Sequence, residues 1–196
     1  MEFFDLVEVI SKLKDDSLYY GDYGKQWLSN SDIGTLINNP KQFRKPQEET
    51  KAMIEGRYFH TAMLEPHKLD DFIVLDLASR NTKAYKEYVL NNDKKIYLLI
   101  KEVQNLNTIV EVMKSNTVMM LNIYNKKNYF EVPMIKEICG MEWKGKADIV
   151  CTDQLIDIKT TSDISKFKFS ARKYNYDSQA YVYQQLFGKP LVFYVI

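Results

Sequence analysis

Two aspartates and a lysine, Asp148, Asp157 and Lys159, sit close together in the stretch Lys146 to Thr161. Oxygen ligands beside an ammonium are what hydrolysis at a hard divalent cation requires. Two runs rich in β-formers, Trp143 to Cys151 and Leu155 to Thr160, flank the polar Thr152-Asp153-Gln154, the pattern of a hairpin with a short turn. Side chains on a strand alternate, so Asp157 and Lys159 take one side and Ile156 and Ile158 the other. With Asp153 and Gln154 as central turn residues, Asp148 stands opposite Lys159 and diagonal to Asp157, and three charges share one face. A slip of one residue would disperse them.

Like charges about 5 Å apart at an effective dielectric near 20 repel by roughly 3 kcal/mol, so the carboxylates need a cation. Magnesium or manganese suits oxygen ligands, polarises a phosphoryl oxygen and lowers the pKa of a bound water. Lys159 would position or activate that water, or neutralise charge on the phosphate. A solvated hairpin with a cross-strand salt bridge gives the same local pattern. The rest of the chain has to decide between the two.

Several elements are expected to position these residues. Phe4 to Lys14 has the stripe of an amphipathic helix, and Ser29-Asn30-Ser31 caps a short helix over Asp32 to Asn38 that Pro40 stops. A longer helix spans Glu49 to Glu65, with Met53, Phe59, Met63 and Leu64 as its apolar stripe. His60 lies on or beside that stripe, and Gly56 hints at close approach by another group. A lone helical histidine is more often a hydrogen-bonded core residue than a ligand.

Short extended segments at Asp71 to Leu75 and Lys95 to Leu99 bracket a helix from Thr82 to Asn91. Lys101 to Lys114 and Val118 to Tyr124 are helical, and Tyr129 to Ile135 is a strand. If that strand pairs with the Trp143 strand, Glu131 reaches the site as a further carboxylate. Asp177 caps a helix ending at Phe187, closed by Gly188 and Pro190, on which Gln179 and Tyr183 share a face. An amide and a phenol so placed can hold a phosphate or the site lysine, or be ordinary helix residues. Leu191 to Ile196 is an apolar strand expected to pair with the central sheet.

The chain has 196 residues, which suits a single domain, 1–196, and it shows no repeat. No run reaches the roughly eighteen apolar residues of a membrane span, and Met-Glu-Phe-Phe-Asp is not a basic signal start, so an intracellular, cytoplasmic protein is expected. Cys139 and Cys151 lack metal-ligand spacing; a disulfide framework, a zinc site and a four-cysteine cluster are excluded, and both cysteines are expected as buried hydrophobes. With 27 basic and 26 acidic residues the net charge is +1, so clusters such as Lys144 with Lys146, and Lys166, Lys168, Arg172 and Lys173, are expected on a solvated surface.

Taken together, these pieces resemble the RecB-type nucleases of the PD-(D/E)XK superfamily, and within it the RecE-like phage and prophage exonucleases. The likeness rests on Ser29-Asn-Ser31 with Pro40 and Phe43, Gly56-Arg-Tyr-Phe-His60, Arg80-Asn-Thr-Lys-Ala-Tyr-Lys, Glu131, Gly145-Lys-Ala-Asp148, Asp157-Ile-Lys159-Thr-Thr and Gln179-x-x-x-Tyr183, in that order. It implies an α/β fold with a central mixed β-sheet flanked by helices. It implies His60, Asp148, Asp157 and the Ile158 carbonyl as metal ligands, and Lys159 as catalytic lysine. Glu131 is a further candidate, and Gln179 and Tyr183 are the supporting pair.

The activity implied is Mg- or Mn-dependent hydrolysis of DNA from duplex ends, 5′ to 3′, in recombination or repair. A homo-oligomeric ring and a single-strand annealing partner are implied with it. An aspartate at 157, where some relatives carry glutamate, shortens that ligand arm. An endonuclease of the same fold, or an inactive module binding DNA ends or a protein partner, are the alternatives.

Overall fold

The computed structural model describes residues 3–92 and 96–196. In chain order the elements are α1 (Phe3–Lys12), α2 (Asp16–Tyr20), α3 (Asn30–Asn38), α4 (Lys51–Leu64), β1 (Val74–Leu75), α5 (Lys83–Asn91), β2 (Leu98–Leu99), α6 (Ile100–Ser115) and α7 (Thr117–Ile123). They continue with β3 (Tyr129–Ile138), β4 (Met141–Val150), β5 (Leu155–Lys159), α8 (Phe167–Lys173), α9 (Tyr176–Phe187) and β6 (Leu191–Val195). Two compact units result: Met1–Pro46 with Ile123–Val195, and Gln47–Asn122 with Ile196.

The first unit carries a four-stranded sheet in the order β3-β4-β5-β6. The strands β3, β4 and β5 run antiparallel in turn, and β6 is parallel to β5, so the expected mixed sheet flanked by helices is present. Between β3 and β4 the turn residues Cys139 and Gly140 both have positive φ, 54° and 75°. That is the signature of a two-residue type I′ hairpin, whose twist matches the strands. Cys139 is therefore exposed at a turn tip and is not the buried hydrophobe expected, whereas Cys151 is buried.

Parallel strands cannot be joined by a tight turn, so the chain must cross over between β5 and β6. It does so through α8 and α9. Asn175, left-handed at φ 53°, caps α9; Asp177 was expected there but lies in the first turn, accepting the Ser178 N–H. Gly188, at φ 68°, ends the helix where its sequence required.

Val182 and Leu186 of α9 bury themselves with Ile138 on the sheet. Contact here is too close for a side chain on β4: a Cβ on Gly145 would lie 2.6 Å from Leu186 Cδ1 and 3.3 Å from the Tyr183 ring. A second cluster joins Leu13, Tyr19, Trp27 and Ile135, with Leu6 and Val9 of α1 against it. The Ser29 N–H donates to Asp32 at 2.8 Å, fixing the start of α3. β5 is buried over its first four residues, Leu155, Ile156, Asp157 and Ile158. Its charged aspartate thus lies in the interior and not on a solvated face.

In the second unit, Thr50 caps α4 by accepting the Met53 N–H at 3.3 Å. The buried residues are Ile54, Tyr58, Phe59, Ala62, Met63 and Leu64; Met53, assigned to the stripe from spacing, is 51% exposed. Gly56 has nothing within 4 Å of where a Cβ would stand, so no close approach explains it. Pro66–Asp71 is a 3-10 turn, and among the described residues extended pairing in this unit is that of Val74 and Leu75 with Leu98 and Leu99. Lys95, expected to begin the second extended segment, lies outside the described residues. Arg80 grips both carboxylate oxygens of Glu102 and donates to the Tyr97 carbonyl at 2.8 Å, while Glu102 also accepts the Leu99 N–H at the start of α6. This is a bidentate pair that ties the Arg80 loop to a helix end. Among the described residues no helix is long and apolar enough to cross a membrane.

Replacing Gly145 by Val should lower stability by roughly 1–3 kcal/mol through overpacking against Leu186 and Tyr183. Urea unfolding of parent and variant checks this, and an unchanged midpoint would contradict the close packing of α9 on β4.

Candidate active site

The β4–β5 hairpin is wider at its loop than the sequence predicts. Val150 pairs with Leu155 and Ile149 with Ile156, and the Cys151 N–H donates to the Gln154 carbonyl at 2.9 Å. Asp148 is therefore in register with Asp157 and not with Lys159, a shift of two residues from the expected pairing. Strand side chains repeat every two residues, so the shift preserves the faces and brings the carboxylates closer in register. The ladder stops at Ile149–Ile156. Beyond it the Ile158 N–H donates to Asp148 Oδ2 at 2.9 Å, a side-chain oxygen standing in for a main-chain acceptor.

Asp157 is only 2% exposed. A carboxylate so placed must be compensated, since an unpaired buried charge costs several kcal/mol. Lys159 Nζ lies 2.5 Å from its Oδ2, and Gln179 Nε2 donates to its Oδ1 at 2.6 Å. The crossover imposed by parallel pairing thus delivers the amide of α9 onto the acid of β5. Asp157 Oδ2 is met by the Lys159 ammonium as an ion pair, and among the described residues no better-aligned hydrogen-bond donor reaches it.

Tyr183, one turn after Gln179, donates its hydroxyl to the Lys146 carbonyl at 3.0 Å. It holds the β4 backbone against α9 and does not reach the carboxylates by a hydrogen bond of its own. Burial raises its phenol well above the ordinary range.

Glu131 stands on β3 where pairing with the Trp143 strand was expected to bring it. One of its carboxylate oxygens lies within 4.8 Å of one from Asp148. Its backbone is left-handed, φ 49°, although pairing is in the same register on both sides, Phe130 with Ile149 and Val132 with Ala147. A non-glycine residue held there in a strand stores roughly 1–3 kcal/mol. Lys146 Nζ meets Glu131 Oε2 at 3.2 Å and also pairs with Asp16 of α2.

Asp16 was not singled out from the sequence, and Lys146 was given no role at the site beyond its place in a motif and a basic cluster. Lys146 could have been found, since it lies two residues before Asp148 on the same strand face; Asp16, far away in the chain, carried no signal. Lys144 and Lys146 are not solvated surface either. Lys144 is 7% exposed, donates to the Tyr19 carbonyl and stands 4.1 Å from the Tyr19 ring centroid. Burial depresses its ammonium to about 8.

Electrostatics follow from this packing. Burial and the Asp157 charge push the Asp148 carboxyl far above the usual carboxylate range, against the opposing pull of Lys159, the Ile158 N–H and Lys146. Burial by itself would lower the Lys159 ammonium, but Asp157 and Asp148 together hold it above its ordinary value. Lys159 is therefore a fixed cation at neutral pH. Asp148, Asp157 and Glu131 offer hard oxygens, and the Ile158 carbonyl leaves the same edge of β5 as its N–H. Glu131 and Asp148 bring carboxylate oxygens within 4.8 Å of one another, and hard oxygens so placed fit a divalent cation of the magnesium type. His60 lies half-buried on α4 in the second unit, its ring edge-on to Phe59.

A mixed sheet with acids and a lysine on its central hairpin and an amide on the crossover helix defines the class of PD-(D/E)XK nuclease-like domains. The chain belongs to the DUF3799 family, described as a PDDEXK-like domain of unknown function, whose model matches residues 33–196. No curated protein matches. Among solved structures, a candidate exonuclease from Eubacterium rectale superposes with a TM-score of 0.65 at 17% identity, covering 92% of this chain and 71% of that one. At that identity the likeness speaks for the fold. The protein SSO0001 gives a TM-score of 0.32 at 17% identity over 71% of each chain.

Because Asp148 titrates higher in the fold than in the unfolded chain, the native state holds an extra proton between about pH 4 and that raised value. Stability should fall as pH rises through this window. In metal-free protein, Asp148→Asn should melt higher than the parent at about pH 8 and converge with it below about pH 4. Thermal melts across pH test this, and a difference that does not change with pH would refute it.

Proposed function

We propose that the chain is a divalent-metal-dependent deoxyribonuclease, an exonuclease degrading double-stranded DNA from its ends, 5′ to 3′, in recombination or repair. The observation that carries this reading is the buried Asp157, flanked by Lys159 and Gln179 with Asp148 in register beside it, in a chain of the PDDEXK-like family. A buried like-charge cluster is expensive to maintain for structure alone, which weighs against an inactive module.

In this reading Asp148, Asp157 and the Ile158 carbonyl hold magnesium or manganese, with His60 as a further ligand and Glu131 beside them. The same reading takes residues 1–196 as a single nuclease domain. The cation, when bound, supplies Lewis-acid polarisation and a water of lowered pKa. Lys159, kept protonated by its two acids, neutralises charge building on the phosphate and hydrogen-bonds it while keeping its own proton, a role a permanently charged amine suits better than that of general base. Gln179 orients Asp157, Tyr183 fixes the β4 backbone, and Lys146 restrains Glu131. These are positioning residues. A ring-shaped homo-oligomer, a single-strand annealing partner and a cytoplasmic setting belong to the same proposal on the strength of the resemblance.

Lys159→Ala should slow digestion of linear duplex by about a hundredfold or more with Mg or Mn. Circular dichroism at the assay temperature should show the variant still folded, with a lower melting point because Asp157 loses its cation. A variant that digests as fast as the parent would remove the lysine from the mechanism. Linear DNA should be degraded and supercoiled circles spared; nicking of the circle would replace the exonuclease by an endonuclease.

A further inference from the structure

The crossover between β5 and β6 does more than deliver Gln179. Its first helix, α8, presents Lys168, Arg172 and Lys173 to solvent, and none of the three forms an ion pair with a described residue. Between and after them stand two exposed rings, Phe169 at 62% and Tyr174 at 56%. Lys168 lies 5.0 Å from the Phe169 ring centroid and Lys173 5.2 Å from that of Tyr174. Rings left in water forfeit their burial, and two of them set among cations that form no ion pair make a surface suited to an aromatic, anionic ligand.

The outer rings continue inwards. Tyr174 is 6.0 Å from Tyr176, with ring planes 30° apart, and Tyr176 stacks on Phe193 of β6 at 5.3 Å. Lys159 Nζ sits 5.2 Å from the Tyr176 centroid. A row of neighbouring rings, each tilted by 26–30° from the next, therefore runs from the solvent at the end of α8 to the lysine paired with Asp157.

We propose that Phe169 and Tyr174, with Lys168, Arg172 and Lys173, form a platform for unpaired nucleotides. Its bases stack on the rings, its phosphates lie against the cations, and the strand is led past Tyr176 towards Lys159. This rests on the nuclease reading of that site and adds its substrate form: the strand end is single-stranded where it meets α8. Stacking distinguishes the ligand, because bases within a duplex already have both faces covered and only unpaired bases offer a π-face to a protein ring. An anionic membrane surface would match the cations, but α8 spans only seven residues. Stable attachment to an interface needs a larger apolar face than that.

The test is fluorescence anisotropy in EDTA, where nothing is cut, with labelled oligothymidylate and a blunt duplex of equal length. The parent should prefer the oligothymidylate. Phe169→Ala with Tyr174→Ala should weaken that binding by about tenfold or more, and Phe169→Tyr with Tyr174→Phe should preserve it. Changing Lys168, Arg172 and Lys173 to Gln should reduce the slope of log affinity against log salt by about two. If the alanine pair does not fold by circular dichroism, Tyr174→Ala alone is read, with a fewfold loss expected.

Unchanged affinity in the alanine variants overturns the platform, as does equal loss on the duplex. Binding by the rings to phosphatidylserine vesicles in place of DNA overturns it too, as does a change in self-association alone. Cleavage of linear duplex by the parent with Mn is scored separately. A parent that cuts while the ring variants bind normally leaves the nuclease reading standing without the platform, and ring-dependent binding in a parent that never cuts does the reverse.

Discussion

A carboxylate taken out of water governs this structure. Asp157 is almost fully covered, and a buried ion is tolerated only when its charge and lone pairs are met. Lys159 and Gln179 meet them, one from the same strand and one from the helix that crosses back over the sheet. Parallel pairing of β6 with β5 is the condition for the second contact, because it forces a helical crossover. The apolar run at Leu155, Ile156 and Ile158 supplies the burial that makes the charge costly and the pairing consequential.

Asp148 occupies a gap in the sheet. Where the β4–β5 ladder ends, its side chain accepts the Ile158 N–H, so the second acid is fixed by the same backbone whose carbonyl stands at the site. Glu131 is restrained differently, by an unusual backbone conformation within β3 and by Lys146. Lys146 in turn reaches Asp16, which couples the first helices to the acid cluster. Three acids are thus held by three devices: an ion pair with an amide, a backbone N–H, and a strained residue with a lysine. Each acid is held in place by the fold itself, so a ligand that bound there would demand little reorganisation.

Much of this was legible beforehand. The alternation of Asp157 and Lys159 with two isoleucines, the pairing of the Glu131 strand with the next, the Gly188-Lys-Pro stop and the final apolar strand all follow from local period and turn chemistry, which depend on near neighbours only. The Asp148–Lys159 register failed because loop length cannot be read from turn residues alone when four residues, and not two, separate the paired positions. Met53 and Gly56 failed because a stripe drawn from spacing does not say which part of a helix is covered.

By itself, then, the sequence determined which residue types stand on which strand face and helix turn, because side-chain direction is set by the backbone within a few residues. Tertiary structure alone decided that Asp157 is buried, that Gln179 rather than Tyr183 touches it, and that Lys144 and Lys146 are interior cations bound to Tyr19 and Asp16. Burial and long-range pairing depend on what packs against an element from elsewhere in the chain. No local pattern carries that information.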